Sequence, residues 1–230
     1  MTELRHLATL VGELEGRPAR LDKLRLVAEW LRALPPDDVP TAVAFLTGRA
    51  FAASDPRVLG ARGLPAVAAP AAGPPLELAD VAAAFAAVAE AQGPGARRAR
   101  EERLRALAAR ASDSERDVLR RIIGGEMRTG VSDGLVLEAI ARAAGIRPGV
   151  IGTIGARIDG VSVPGERTTP ESTELQALLA RMVAAGVALA AIEVSSASVR
   201  SALKTTSDRR RLRARRASVF VFPIIILRSR

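Results

Sequence analysis

The text of the chain changes around Gly145, and that change limits the folds open to it. Residues 141–155 read A-R-A-A-G-I-R-P-G-V-I-G-T-I-G. Upstream, apolar residues recur at helical spacing and the stops are Gly and Pro. Downstream, β-branched residues sit among glycines, as in short strands and turns. This predicts a mainly α chain, with a small α/β strand-helix-strand unit following the helical part.

The helical part begins with residues 1–51. In ARLDKLRLVAEWLRAL, Leu21, Leu24, Leu26, Val27, Trp30, Leu31 and Leu34 recur near helical spacing. Pro35-Pro36 stops that helix, Asp37-Asp38 is placed to cap the next, and Gly48 is a C-terminal stop. Residues 52–75 form a Pro/Gly/Ala connection. Residues 76–92 form a helix with Asp80 near its start, ended by Gly93-Pro94-Gly95. Residues 96–111, ARRAREERLRALAARA, form a charged helix whose mixed signs read as a solvated face. Ser112 or Ser114 caps the next helix, which carries acids in its first turn and arginines in its last. After Gly124-Gly125, Ser132 and Asp133 are placed to cap a further helix that Gly145 ends.

From residue 148 the period changes. Val150, Ile151, Ile154 and Ile158 lie among glycines, and Asp159-Gly160 is a hairpin-turn signal. Thr169 or Ser172 caps a helix with Leu175, Leu178, Leu179 and Met182 on one face, and Gly186 ends it. VALAAIEVSS then reads as a buried strand. Strand, helix and strand in this order predict a parallel pair. The expected domains are therefore residues 1–146, helical, and 147–197, α/β. Residues 198–230 are expected to be a disordered basic tail with an apolar end.

Net charge bears on function only through its placement. The chain carries +9, but residues 200–230 hold ten of the 34 basic residues and one of the 25 acids. The remaining 199 residues are neutral overall. The tail is expected to bind nucleic acid without specificity, and binding elsewhere must rest on local placement. Cysteine is absent, so thiolate metal sites and disulfides are excluded. No run approaches the roughly 20 apolar residues of a membrane span, and residues 1–16 lack a signal peptide's apolar stretch. A cytoplasmic protein without membrane partners is expected.

The segment 124–145, GGEMRTGVSDGLVLEAIARAAG, is two helices joined by a glycine-rich elbow. Its glycines let backbone approach a partner closely. Free N–H groups at the second helix can hold a phosphate, and Arg128 supplies charge. The same residues also describe an ordinary helical hairpin with a surface arginine. GEMRTGVSDGLVLEAIA resembles the signature of the N-terminal DNA-binding domain of ATP-dependent DNA ligases. RLDKLRLVAEWLRALPPDDVPTAVAFLTGRAF, SDPRVLGARGLP and SERDVLRRIIGGEMRTG agree with it, so the resemblance covers about residues 15–146. It implies an all-helical domain that encircles nicked duplex DNA through sugar-phosphate contacts. The matching positions are Arg128, Thr129, Gly130, Val131 and Ser132. Contacts of this kind position a protein without reading sequence.

Residues 149–196 resemble the central domain of Mur ligases, closest to the synthetase that extends UDP-N-acetylmuramoyl-dipeptide. By spacing alone, RTTPES is a capped turn. The resemblance implies substrate contacts at Thr168, Thr169 and Ser195, and magnesium at Glu193. The family text continues from EVSS into a histidine, where Ala197 stands here. Both families can carry an Ala-Ala-Gly helix end, so a join near Gly145 is a natural product of recombination or of sequence assembly. A second break follows Ser196.

The sequence predicts no catalysis from these residues alone. A DNA ligase attaches AMP to the lysine of a K-x-D-G motif. Lys23 is followed by Leu-Arg-Leu and Lys204 by Thr-Thr-Ser. A P-loop at Lys204 is excluded, since no glycine occurs after Gly186. His6 is the only histidine, and no carboxylate pair is arranged for acid–base work. No cofactor is expected to bind these residues; ATP and magnesium are what the resemblance implies for the full-length family. Three readings follow. The first is a DNA-holding portion of a ligase that seals nicks in repair, recombination and replication. The second is a Mur ligase fragment of peptidoglycan synthesis. The third is a chimeric chain without a settled function.

Overall fold

The computed structural model describes residues 1–52, 54–67, 73–152, 155–163, 172–192 and 224–226. The chain divides into two compact units, Met1–Val136 and Leu137–Arg230.

The first unit is helical. It contains α1 (Leu4–Glu15), α2 (Arg20–Ala33), a 3-10 turn at Pro36–Asp38, α3 (Val39–Leu46), α4 (Leu78–Glu90), α5 (Ala96–Arg110) and α6 (Asp113–Gly124). Each α-helix buries one stripe, as its apolar spacing requires. Leu4, Leu7, Val11 and Leu14 of α1, Leu24, Val27 and Leu31 of α2, and Val81, Phe85 and Val88 of α4 are all buried. Phe45 of α3 meets Phe85 edge-on, with ring centroids 5.8 Å apart. The chain start is tied down by an isolated bridge between Glu3 and Glu77. There the Leu4 amide donates to the Leu76 carbonyl at 2.7 Å, and the Leu78 amide donates to Thr2 at 2.9 Å.

The expected stops are largely met. Gly48 (φ 73°) stops α3 in the left-handed conformation; α4 ends at Glu90, ahead of Gly93 (φ 78°), and Gly95 (φ 86°) serves as the N-cap of α5. Two expectations change. The Asp38 side chain does not cap α3; its carboxylate accepts from the Thr2 hydroxyl at 2.7 Å instead. Leu21, read as part of the apolar face of α2, is 62% exposed.

Helix α7 (Asp133–Ala143) contains the division between the units, after Val136. Gly145 (φ 71°) ends it, and the Ile146 amide reaches back to Ala141 at 2.8 Å.

The second unit is built on β1 (Pro148–Gly152), β2 (Gly155–Ile158), β3 (Val161–Val163), α8 (Ser172–Ala184), β4 (Leu189–Ile192) and β5 (Ile224–Ile226). The sheet order is β3-β2-β1-β4-β5. Strands β1 and β4 are parallel, with Val150 opposite Ala191, and the other pairs are antiparallel. The strand-helix-strand expectation is met through α8, as a parallel pair needs a crossover. Asp159 (φ 50°) and Gly160 (φ 83°) form the β2–β3 turn, both with positive φ as a two-residue hairpin prefers. Leu175, Leu178 and Leu179 pack with Met182 against Ile151, Ala156, Val187 and Ala190. The apolar end of the chain, to which residue spacing assigns no element, supplies β5 on the edge beside β4. No helix among the described residues is long and apolar enough to cross a membrane.

Candidate functional site

The elbow between α6 and α7 is built from both of its ends. Helix α6 starts with a capping box: the Ser112 amide donates to the Glu115 carboxylate at 2.8 Å, and the Glu115 amide donates to the Ser112 hydroxyl at 3.4 Å. It ends at Gly125 (φ 75°), and the Glu126 amide returns to the Arg121 carbonyl at 3.0 Å. Helix α7 starts at Ser132, whose hydroxyl accepts from the Leu135 amide at 3.3 Å. The amides of Asp133 and Gly134 lie in its first turn, where helices lack internal acceptors.

Between these ends the chain alternates. Met127 and Thr129 are buried, while Arg128 and Gly130 are exposed; Val131 is half-buried and Ser132 is exposed. Arg128 has φ 56°, a conformation that favours glycine. Its side chain is 79% exposed and pairs with the exposed Glu126 carboxylate, with Nε at 2.7 Å.

Three residues remote in sequence support this elbow. The Lys23 ammonium donates to the Thr129 carbonyl. A Cβ on Gly48 would stand 3.1 Å from the Met127 nitrogen and 3.3 Å from the Glu126 nitrogen, so α3 ends against the elbow backbone. Arg49 pairs with Asp133 at 2.7 Å. Arg121 donates to the Met127 carbonyl at 3.1 Å and also bonds Glu15; that second bond raises its pKa above the ordinary guanidinium value. Sequence spacing does not place Lys23, Gly48 or Arg49 here, because their only signal is tertiary.

The five elbow positions are thus brought together, but in different states. Arg128 and Ser132 face solvent, and Gly130 exposes backbone. The Thr129 side chain belongs to a buried residue whose carbonyl is occupied by Lys23. Thr168, Thr169, Glu193 and Ser195 lie outside the described residues. Among the described residues, no cluster of three His, Asp or Glu side chains is arranged to hold a metal.

Comparison with known proteins places this elbow in context. Residues 61–141 match the family described as DNA ligase N terminus, and residues 135–208 match the Mur ligase middle domain. The two matches overlap at 135–141, within α7, where the two units also divide.

Among individual proteins, a probable DNA ligase of Beutenbergia cavernae is 42% identical over 128 residues, covering 56% of this chain and 25% of that protein. One from Anaeromyxobacter sp. strain K is 40% identical over 166 residues, covering 70% of this chain and 32% of its own length. One from Streptomyces griseus is 37% identical over 146 residues, covering 63% and 28%. The chain therefore spans about a quarter to a third of the length of these curated relatives. It is similar to DNA ligases in its N-terminal part and to the Mur ligase middle domain in the segment that follows.

Proposed function

We propose that the helical part of the chain is a DNA-holding module of the DNA-ligase type, which grips duplex DNA, nicked duplex included, through its sugar-phosphate backbone. The observation that carries this reading is Arg128. A non-glycine residue in the left-handed region costs about 1–2 kcal/mol, and such outliers gather at functional sites. Asp159 adopts a similar φ because its hairpin turn needs one. Arg128 lies in no such hairpin, yet the conformation leaves its guanidinium in solvent on a buttressed elbow.

The chemistry suits a phosphodiester. An exposed ion pair such as Arg128–Glu126 contributes little, so a phosphate can replace the carboxylate at small cost. The amides opening α7 and the bare backbone of Gly130 add donors and close access. Contacts of this kind fix position and carry no base information. Nick sealing in repair, recombination and replication, with ATP and magnesium, is the activity this reading assigns to a ligase of which such a module is part. It implies a cytoplasmic site of action.

The test is Arg128→Ala in the full chain, with nicked duplex over a salt series. Keeping the tail constant cancels its background. Affinity should fall about equally on unrelated sequences, and the log–log salt slope should flatten by about 0.9 for one lost phosphate contact. Unchanged affinity and slope would remove the assignment.

The parallel β1–α8–β4 unit and the match at 135–208 favour a second reading, a Mur-type ligase segment. Thr168, Thr169 and Ser195 would touch a UDP-muramoyl-peptide, and Glu193 a magnesium ion. Titration calorimetry with UDP-N-acetylmuramoyl-dipeptide tests it, and absence of heat at millimolar ligand would discard it.

A further inference from the structure

Helix α5 uses part of its charge in intrahelical pairs at i,i+4 spacing. Arg98 pairs with Glu102 at 2.7 Å, and Arg105 pairs with Glu101 at 2.6 Å. Arg110 pairs with Asp80 at 2.7 Å. Arg97, Arg100 and Arg103 remain, and among the described residues none of them forms an ion pair. Arg97 and Arg100 line a cleft of about 770 Å³ against the 60–65 loop, together with Arg62, which also forms no ion pair among those residues. Glu101 is the one acid on the lining, and its charge is taken up by Arg105.

Arg100 shapes the cleft. Its Nε donates to the Val88 carbonyl at 3.1 Å and its Nη2 to Ala91 at 2.6 Å, at the end of α4. Those partners are neutral, so the guanidinium charge is not cancelled. Gly60 (φ 64°) brings the loop onto this arginine, where a Cβ would stand 3.5 Å from Nη1. Arg62 on the loop and Arg97 on α5 are both exposed on the lining. Three cations against one paired carboxylate, in an open cleft, form a seat for an anion with several oxygens. At the elbow, by contrast, Arg128 and Arg49 already have carboxylate partners.

We propose that this cleft is a second seat for a phosphodiester backbone, contacted by Arg62 and Arg97 and positioned by Arg100. The proposal rests on the reading that the helical part holds DNA, and adds a contact surface outside the elbow. A nucleic-acid strand is favoured over a small phosphate because the cleft is open and the cations lie on two separate segments, loop and helix.

The experiment compares three full-length proteins with the unaltered chain, using fluorescence anisotropy of labelled nicked duplex over a salt series. They are the cleft pair Arg62→Gln with Arg97→Gln, a control pair Arg103→Gln with Arg120→Gln, and Arg128→Ala. The control removes the same charge from exposed residues outside the cleft. Circular dichroism checks folding. The expected result is a slope shallower by roughly 2 and affinity reduced roughly tenfold or more at 0.1 M salt for the cleft pair, with a smaller effect for the control. Equal losses in both pairs would overturn the proposal as bulk charge. No loss in the cleft pair, with a loss in Arg128→Ala, would overturn it and leave the DNA-holding reading standing. No loss in either would overturn both. A fourth arm titrates inorganic pyrophosphate: saturable binding abolished in the cleft pair, with DNA affinity unchanged, would make the cleft a small-phosphate site and overturn the backbone assignment.

Discussion

The Lys23 ammonium lies 2.7 Å from where a Cβ on Gly130 would stand, and it donates to the carbonyl of the neighbouring Thr129. A cation from α2 therefore occupies space that only a glycine leaves open. Gly130 also has φ 69°, which disfavours a side chain by itself. Gly130→Ala should cost about 1–2 kcal/mol, chiefly from the backbone, since Lys23 is flexible and can swing away. Lys23→Met should cost a similar ~1.5–3 kcal/mol by removing a charge-assisted bond. The two changes should be less than additive, because the alanine already displaces the lysine. Urea unfolding of both single variants and the double variant measures this, and strict additivity would contradict the contact.

Gly48→Ala should be worse than Gly130→Ala. Its Cβ would press on backbone atoms, the Met127 and Glu126 nitrogens and the Gly125 carbonyl carbon at 3.3 Å, and its φ is 73°. Backbone held by an adjacent helix stop cannot rotate away as a lysine can. A loss of about 2 kcal/mol or more is expected, with weaker protection of elbow amides in hydrogen exchange. If Gly48→Ala proved the milder of the two in thermal melts, the packing of α3 on the elbow would be misassigned.

Much of this region is legible locally, and the remainder has a physical reason for being silent. Ser112 with Glu115, Gly125, Ser132 and Gly145 announce the ends of two helices because a cap is a contact between near neighbours in sequence. Asp159-Gly160 announces its turn for the same reason. Lys23, Gly48 and Arg49 carry no such mark, since what gives them meaning is an elbow about 80 to 110 residues away. Helix α5 shows the same limit. Its intrahelical pairs follow from i,i+4 spacing, but which of its other arginines line a cleft depends on the 60–65 loop, remote in sequence. Strand β5 has no signal beyond three isoleucines, and pairing with β4 alone defines it.

Arg128→Gly separates stability from binding. Glycine adopts φ 56° without the steric cost that arginine bears. The gain is reduced by the greater freedom of glycine in the unfolded chain, leaving a net stabilisation of about 0.5–1 kcal/mol. The Glu126 pair lost with it is exposed and counts for little. The same change removes the guanidinium, so affinity for nicked duplex should fall as in Arg128→Ala. A variant more stable in urea and weaker on DNA is expected. A destabilised variant would mean that the arginine side chain supports the fold, and the functional reading of its backbone would lose its basis.

The second unit offers a test that does not involve the elbow. Gly149 on β1 faces Met182 and Val187: a Cβ there would stand 2.6 Å from Met182 Sδ and 3.1 Å from Val187 Cγ1. Met182 is fully buried in the core formed by α8 and the sheet. Gly149→Ala should therefore overpack that core and cost about 1–3 kcal/mol. Combining it with Met182→Ala should recover part of the loss, because the smaller side chain vacates the volume the new methyl needs. Hydrogen exchange localises the effect: amides pairing β1 with β4 should lose protection, while those of α1 and α4 keep theirs. If the double variant were simply the sum of two losses, Gly149 would not be packed on Met182, and the placement of α8 over the β1–β4 pair would need revision.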